Sequence, residues 1–147
     1  MNNARKAPPA VGKPAPDFSL PATGRDAVTL KDGEHGRLLY VFPAAFTPAA
    51  ALDLSTLELR AKEIRDRGFE IIGLSVDSVW ANQIFSASLG GLSFPLAADL
   101  TRKTLEAYGL LNEDGTAVRA LVVTNPDGTV KSFRTLKPDE PLPADLV

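Results

Sequence analysis

Two apolar runs without polar alternation constrain this sequence more than any other feature. Residues 37–42 (RLLYVF) and 69–76 (FEIIGLSV) each read as a strand buried on both faces. That pattern belongs to a parallel sheet covered by helices, not to a sheet with one wet face. Between the runs the spacing changes. From residue 48 to 67, Leu52, Leu57, Ala61 and Ile64 recur at intervals of three to five. Asp53, Glu58, Arg60, Lys62, Glu63, Arg65 and Asp66 are expected mostly on the opposite, solvated side. Thr47 is placed as the N-cap, Pro48 at the first helical position and Gly68 at the stop. Strand, helix and second strand together make a βαβ unit.

The remaining segments extend that unit. Residues 1–10 are polar and Pro-rich and read as a disordered leader, with residues 11–147 as one domain. Pro14 and Pro16 make residues 11–20 an extended segment lying on the domain rather than a central strand. Residues 21–26 read as a turn and 28–30 as a short strand. Asp77 or Ser78 caps a helix running to about residue 89, and Gly90-Gly91 reads as its stop rather than as a phosphate loop. A short extended piece at 94–97 and a helix over about 101–108 follow. Residues 117–124 and 129–135 form a hairpin around Pro126-Asp127-Gly128. The Pro-rich last ten residues read as irregular, closing at most on one helical turn. The order gives an α/β, thioredoxin-like fold, a mixed sheet with helices on both faces.

Composition excludes several functions. The net charge is −2, and the one Arg-rich stretch, 60–67, interleaves Glu63 and Asp66, so it reads as a solvated helix face with i, i+4 pairs and not as a nucleic-acid footprint. The apolar runs at 38–46 and 120–123 are too short to span a bilayer, and the N-terminus lacks the apolar stretch of a secretory signal. These readings lead to the expectation of a cytoplasmic protein without membrane partners. The single histidine, His35, lies in the polar turn 32–36, with no ligands converging on it, so no metal or cofactor is expected. Cysteine is absent altogether, which removes disulfides, thiolate metal sites and every cysteine nucleophile. Phe46, Trp80 and Phe85 are expected in the core or at a dimer interface, and Tyr40 and Tyr108 as partly buried core residues.

In an open α/β sheet, function collects where a strand's carboxyl end meets a helix N-terminus. Here that junction is residues 42–51 (FPAAFTPAAA). Free backbone N–H groups and the positive helix end favour an anion there, and Thr47 adds a hydroxyl. The segment resembles the active-site loop of the peroxiredoxins, P-x-x-x-T/S-x-x-C, with Pro43 and Thr47 in register and Ala50 at the cysteine position. Further likenesses follow in order. Val11-Gly12-x-x-Ala15-Pro16-Asp17-Phe18 resembles the family's opening. Residues 73–78 (GLSVDS) resemble its second strand and turn, and Phe94-Pro95-Leu96 with Asp99 its F-P-L-x-x-D element. Arg119 occupies the place of the active-site arginine. Within the family, the small one-cysteine members of the alkyl hydroperoxide reductase E or bacterioferritin-comigratory type are most similar.

The resemblance implies a thiol peroxidase. In such enzymes the cysteine thiolate attacks the peroxide O–O bond, while the arginine, the threonine hydroxyl and backbone N–H groups hold the peroxide. By the same resemblance Pro43, Thr47 and Arg119 are expected to build a small-anion or peroxide pocket, with sulfate, a carboxylate or water at the helix mouth. Arg119 is flanked by apolar residues and is expected at the pocket's edge, with a structural ion pair as the alternative. The Ala50 methyl has nothing to oxidise. Ala49 and Ala51 flank it, and Asp53 stands where the family usually has Glu. Three functions stay open: an inactive pseudo-peroxidase that keeps the pocket, an engineered Cys→Ala variant of an active enzyme, and a structural or interaction module, with a homodimer implied by many relatives. Three consecutive alanines fit natural loss better than a single engineered change.

Overall fold

The computed structural model describes residues 7–30 and 34–147; the first six residues of the expected leader, and Asp32 and Gly33 of the His35 turn, lie outside the described residues. Seven strands form one sheet: β1 (Ser19–Ala22), β2 (Arg25–Thr29), β3 (Gly36–Val41), β4 (Phe69–Ser75), β5 (Leu96–Ala98), β6 (Ala120–Thr124) and β7 (Val130–Thr135). Their spatial order is β2-β1-β5-β4-β3-β6-β7. The β3-β4-β5 centre is parallel, and the flanking pairs are antiparallel. Three helices complete the fold, α1 (Pro48–Asp66), α2 (Val79–Ser88) and α3 (Lys103–Ala107).

The unbroken apolar runs now have a physical cause. Along β3, Leu38 and Tyr40 face the α1 and α2 side, while Leu39 and Val41 face α3 and the N-terminal segment, so every position is covered. Gly73, at the centre of the sheet, is a point of close approach. A Cβ there would lie 2.4 Å from Leu96 Cδ2, so only the missing side chain lets Leu96 cross β4.

Several boundaries differ from the sequence expectation. The turn expected over 21–26 shrinks to Thr23-Gly24: Ala22 ends β1 and Arg25 begins β2. Gly24 takes the left-handed conformation (φ 76°) that such a tight hairpin requires. Tyr40 and Tyr108 are fully rather than partly buried. Of the three aromatic residues expected in the core or at a dimer interface, Phe85 is in the core, while Phe46 and Trp80 are exposed in the single chain. The C-terminal segment carries no helical turn.

The largest correction concerns α1. Leu52, expected inside, is 68% exposed, and Asp53, expected in solvent, is 4% exposed. The buried stripe runs Ala50, Asp53, Leu54, Leu57, Ala61, Ile64. Helical geometry dictates this stripe, and polarity alone misassigned its second member. The outer face carries one expected i, i+4 pair, Lys62 to Asp66 at 2.8 Å, and an i, i+3 pair, Arg60 to Glu63 at 2.6 Å.

Candidate functional site

The mouth of α1 follows directly from β3. Phe42 N–H donates to Leu74 O, carrying the sheet one residue past the strand, and exposed Pro43 then turns the chain outward. Phe46 adopts a left-handed φ of 63°. That conformation is uncommon for a bulky residue and reverses the chain just before the helix. Ala45 N–H donates to Asp77 Oδ2 at 2.8 Å, tying this loop to the end of β4. Phe46 packs its ring 5.1 Å from Phe85 of α2.

Thr47 is the N-cap (φ −92°, ψ 147°). Its Oγ1 accepts from Ala50 N–H at 3.3 Å and donates to Ala44 O at 3.0 Å, so the hydroxyl is engaged in both directions. Pro48 has no N–H, and Ala51 N–H donates to Thr47 O. Among the described residues, Ala49 N–H is the first-turn donor left for a ligand. Ala50 itself is buried, its methyl facing the core shared by Phe42, Leu54 and Phe85.

Arg119 reaches α1 one turn beyond Ala50. Its Nε donates to Asp53 Oδ2 at 2.7 Å and its Nη2 to Asp53 Oδ1 at 2.9 Å, a bidentate pair with both side chains buried. Arg119 Nη1 donates to Lys137 O at 2.7 Å and to Glu140 O at 2.5 Å. Its guanidinium also interacts with the Tyr40 phenol, so it is largely committed within the protein. Tyr40 O–H donates to Asp53 Oδ2 at 2.5 Å, which completes a buried triad. Burial pushes the Tyr40 phenol well above its ordinary value, and its bond to Asp53 adds to the rise. The Asp53 carboxylate in turn holds the Arg119 pKa above the usual arginine value. Arg119 thus makes the ion pair named as its structural alternative.

Sequence reasoning missed three parts of this arrangement: Asp53 as the carboxylate partner, Tyr40 as its third member, and the carbonyls of residues 137 and 140. Two signals were present. Asp53 lies three residues after Ala50 and four before Leu57, on the core stripe, and Tyr40 alternates with Leu38 and Phe42 on the strand face that meets α1. The two described cavities lie elsewhere, one between the Thr23–Gly24 turn and the end of α2, the other beside β7.

A mixed sheet with helices on both faces, and a long helix starting where a central strand ends, define a thioredoxin-like protein. A solved reduced 2-Cys peroxiredoxin of Plasmodium vivax superposes with a TM-score of 0.79 at 27% identity, covering 87% of this chain and 86% of that one. The AhpC of Mycobacterium tuberculosis superposes equally well at 23% identity, with 88% of each chain covered, which is a likeness of fold. The AhpC/TSA family profile matches residues 11–133, and the chain belongs to that family, the peroxiredoxins. It is 36% identical over 135 residues to peroxiredoxin-2 of Macaca fascicularis, covering 84% of this chain and 68% of the relative. To the chloroplastic 2-cysteine peroxiredoxin of Chattonella marina var. antiqua it is 31% identical over 132 residues, covering 82% and 68%. Among the described residues, no helix is long and apolar enough to cross a membrane.

Proposed function

We propose that this chain is a pseudo-peroxidase: a peroxiredoxin-family protein that keeps the architecture of the peroxide site but does not turn peroxide over. One observation carries the reading. The position at the third residue of α1, where the family motif calls for cysteine, holds a buried alanine methyl, and the 147 residues contain no cysteine at all. A methyl group offers no lone pair to attack an O–O bond and no atom to carry the oxygen away. Pro43, Thr47 and Arg119 remain as the frame of the pocket. The donor they leave for a small anion or peroxide is chiefly Ala49 N–H, so any such ligand binds weakly.

Peroxide consumption by the metal-free protein tests this reading. The unmodified chain is expected to match buffer, and consumption well above buffer would overturn the proposal. Ala50→Cys adds a second comparison. A gain of peroxide reduction would mean that the frame is intact and only the sulfur is lost, as an engineered Cys→Ala change also requires. No gain would mean that the site has decayed around the missing thiol.

A specific observation favours an interaction role alongside this one. Trp80 (74% exposed) and Ile84 (64%) lie one turn apart on α2, and Phe46 (56%) sits on the same corner. Exposed aromatic and aliphatic side chains gathered beside the α1 mouth suit burial in a homodimer.

A further inference from the structure

The other end of α1 carries a feature that the pseudo-peroxidase reading does not use. Helix α1 runs sixteen residues past Ala50, so its C-terminus lies about 24 Å from that residue. There a cavity of about 280 Å³ opens between the helix end, strand β7 and the 145–147 segment. Arg67, Lys131 and Arg134 all line it, with the Ser132 hydroxyl and the apolar floor of Leu121.

The fold brings these side chains together by three separate devices. Arg67 is the C-cap of α1, fixed there by its own N–H on Glu63 O and Ile64 O. Arg134 pairs with Leu121 across β6 and β7, so both project on the α1 face of the sheet. Ser132, paired with Val123, follows Arg134 on that face by strand alternation, and the extra residue that the bulge inserts into β7, Lys131, reaches the same rim. Lys131 Nζ then rests 5.0 Å from the Phe69 ring centroid. Among the described residues, no carboxylate lies within ion-pair distance of any of the three cations. Asp145 lines the cavity without pairing to them. Three cations against the one Asp145 side chain leave the lining side chains net positive in a chain whose net charge is −2.

We propose that this cavity is an anion site for a phosphate group, free or borne on a small organic molecule. Two planar guanidinium forks suit bidentate bonds to tetrahedral oxygens, and the ammonium and hydroxyl add further donors. Three cations favour a dianion over a monoanion, and the volume leaves room for a small body beyond the phosphate itself. The site is independent of Ala50 and stands whether or not the chain reduces peroxide.

Titration of the 147-residue protein with inorganic phosphate, glycerol 3-phosphate and sodium chloride at matched ionic strength tests the proposal, read by calorimetry and by amide NMR shifts. Saturable shifts at residues 67 and 131–134 are expected with a phosphate species and not with chloride. Stronger binding of the ester identifies an organic ligand, and binding of inorganic phosphate alone identifies the free ion. Arg67→Gln and Arg134→Gln, on separate elements, should each weaken binding at least fivefold, and Lys103→Gln on α3 should leave it unchanged. Shifts that chloride reproduces, or binding equal in both Arg variants and the unmodified chain, would overturn the proposal.

Discussion

Asp53 concentrates more of the stability of the site than any other residue. It is the single acceptor for the Arg119 fork and the Tyr40 hydroxyl, all within the core. Asp53→Ala leaves a buried guanidinium without its counter-charge and should destabilise the protein by about 3–5 kcal/mol in urea unfolding. The double change Asp53→Leu with Arg119→Leu should recover most of that loss, because the unpaired charge goes with its partner. Equal or additive losses would show that the pair is not coupled. The same burial acts on the chain's two tyrosines, since Tyr40 and Tyr108 both have phenols raised above their ordinary value, chiefly by desolvation. The unfolded chain gives up these protons near pH 10 while the folded chain keeps them. Stability is therefore full below about pH 10 and falls above it. Tyrosinate absorbance should rise only in step with the loss of circular dichroism; a rise in the still-folded protein would contradict this.

At the scale of elements, α1 shows what the sequence made legible and what it did not. Its start, cap, proline and glycine stop could all be read, because each is a local requirement of helix ends. Its buried face was misread at Leu52 and Asp53, because an acid belongs inside only when partners 13 and 66 residues away meet it. The family motif pointed to Pro43, Thr47, Ala50 and Arg119 as the expected site, yet no motif indicated that backbone carbonyls of the tail would occupy Arg119. The tail was legible as irregular but not as anchored. Arg60 Nη2 donates to Ala144 O at 2.8 Å and Nη1 to Pro143 O at 3.3 Å, and Leu146 enters the core. Arg60→Ala should lower the free energy of local tail opening by about 1 kcal/mol. Hydrogen exchange at residues 144–147 should then quicken several-fold while β3 and β4 stay protected. At the helix start, Thr47→Ala should cost about 1 kcal/mol of global stability in the same urea assay.

For the whole molecule, the homodimer proposed at the α2 corner can be tested in solution. The chain has one tryptophan, Trp80, so its fluorescence reports that corner alone. If two copies meet there, emission should shift to shorter wavelength as concentration rises, in parallel with sedimentation as a dimer, and Trp80→Ser should abolish both changes. A water-exposed spectrum at every concentration would remove the interaction reading. The mixed sheet and the two-sided core were legible because continuous apolar strands leave few architectures open; the spatial order of the strands was not. The cationic cavity was not either, since Arg67 and Arg134 come together only when the crossover brings the end of α1 beside β7.

The anchoring of the tail has a consequence for how freely this protein's sequence can change. Arg60 and Arg119 hold residues 137, 140, 143 and 144 by main-chain oxygens, which every amino acid supplies equally. Prolines at 138, 141 and 143 withhold N–H groups but never an acceptor. Mutation can therefore rewrite most side chains of this segment without loosening its attachment. The selective constraint falls instead on the two arginines, which lie far from the segment in the chain.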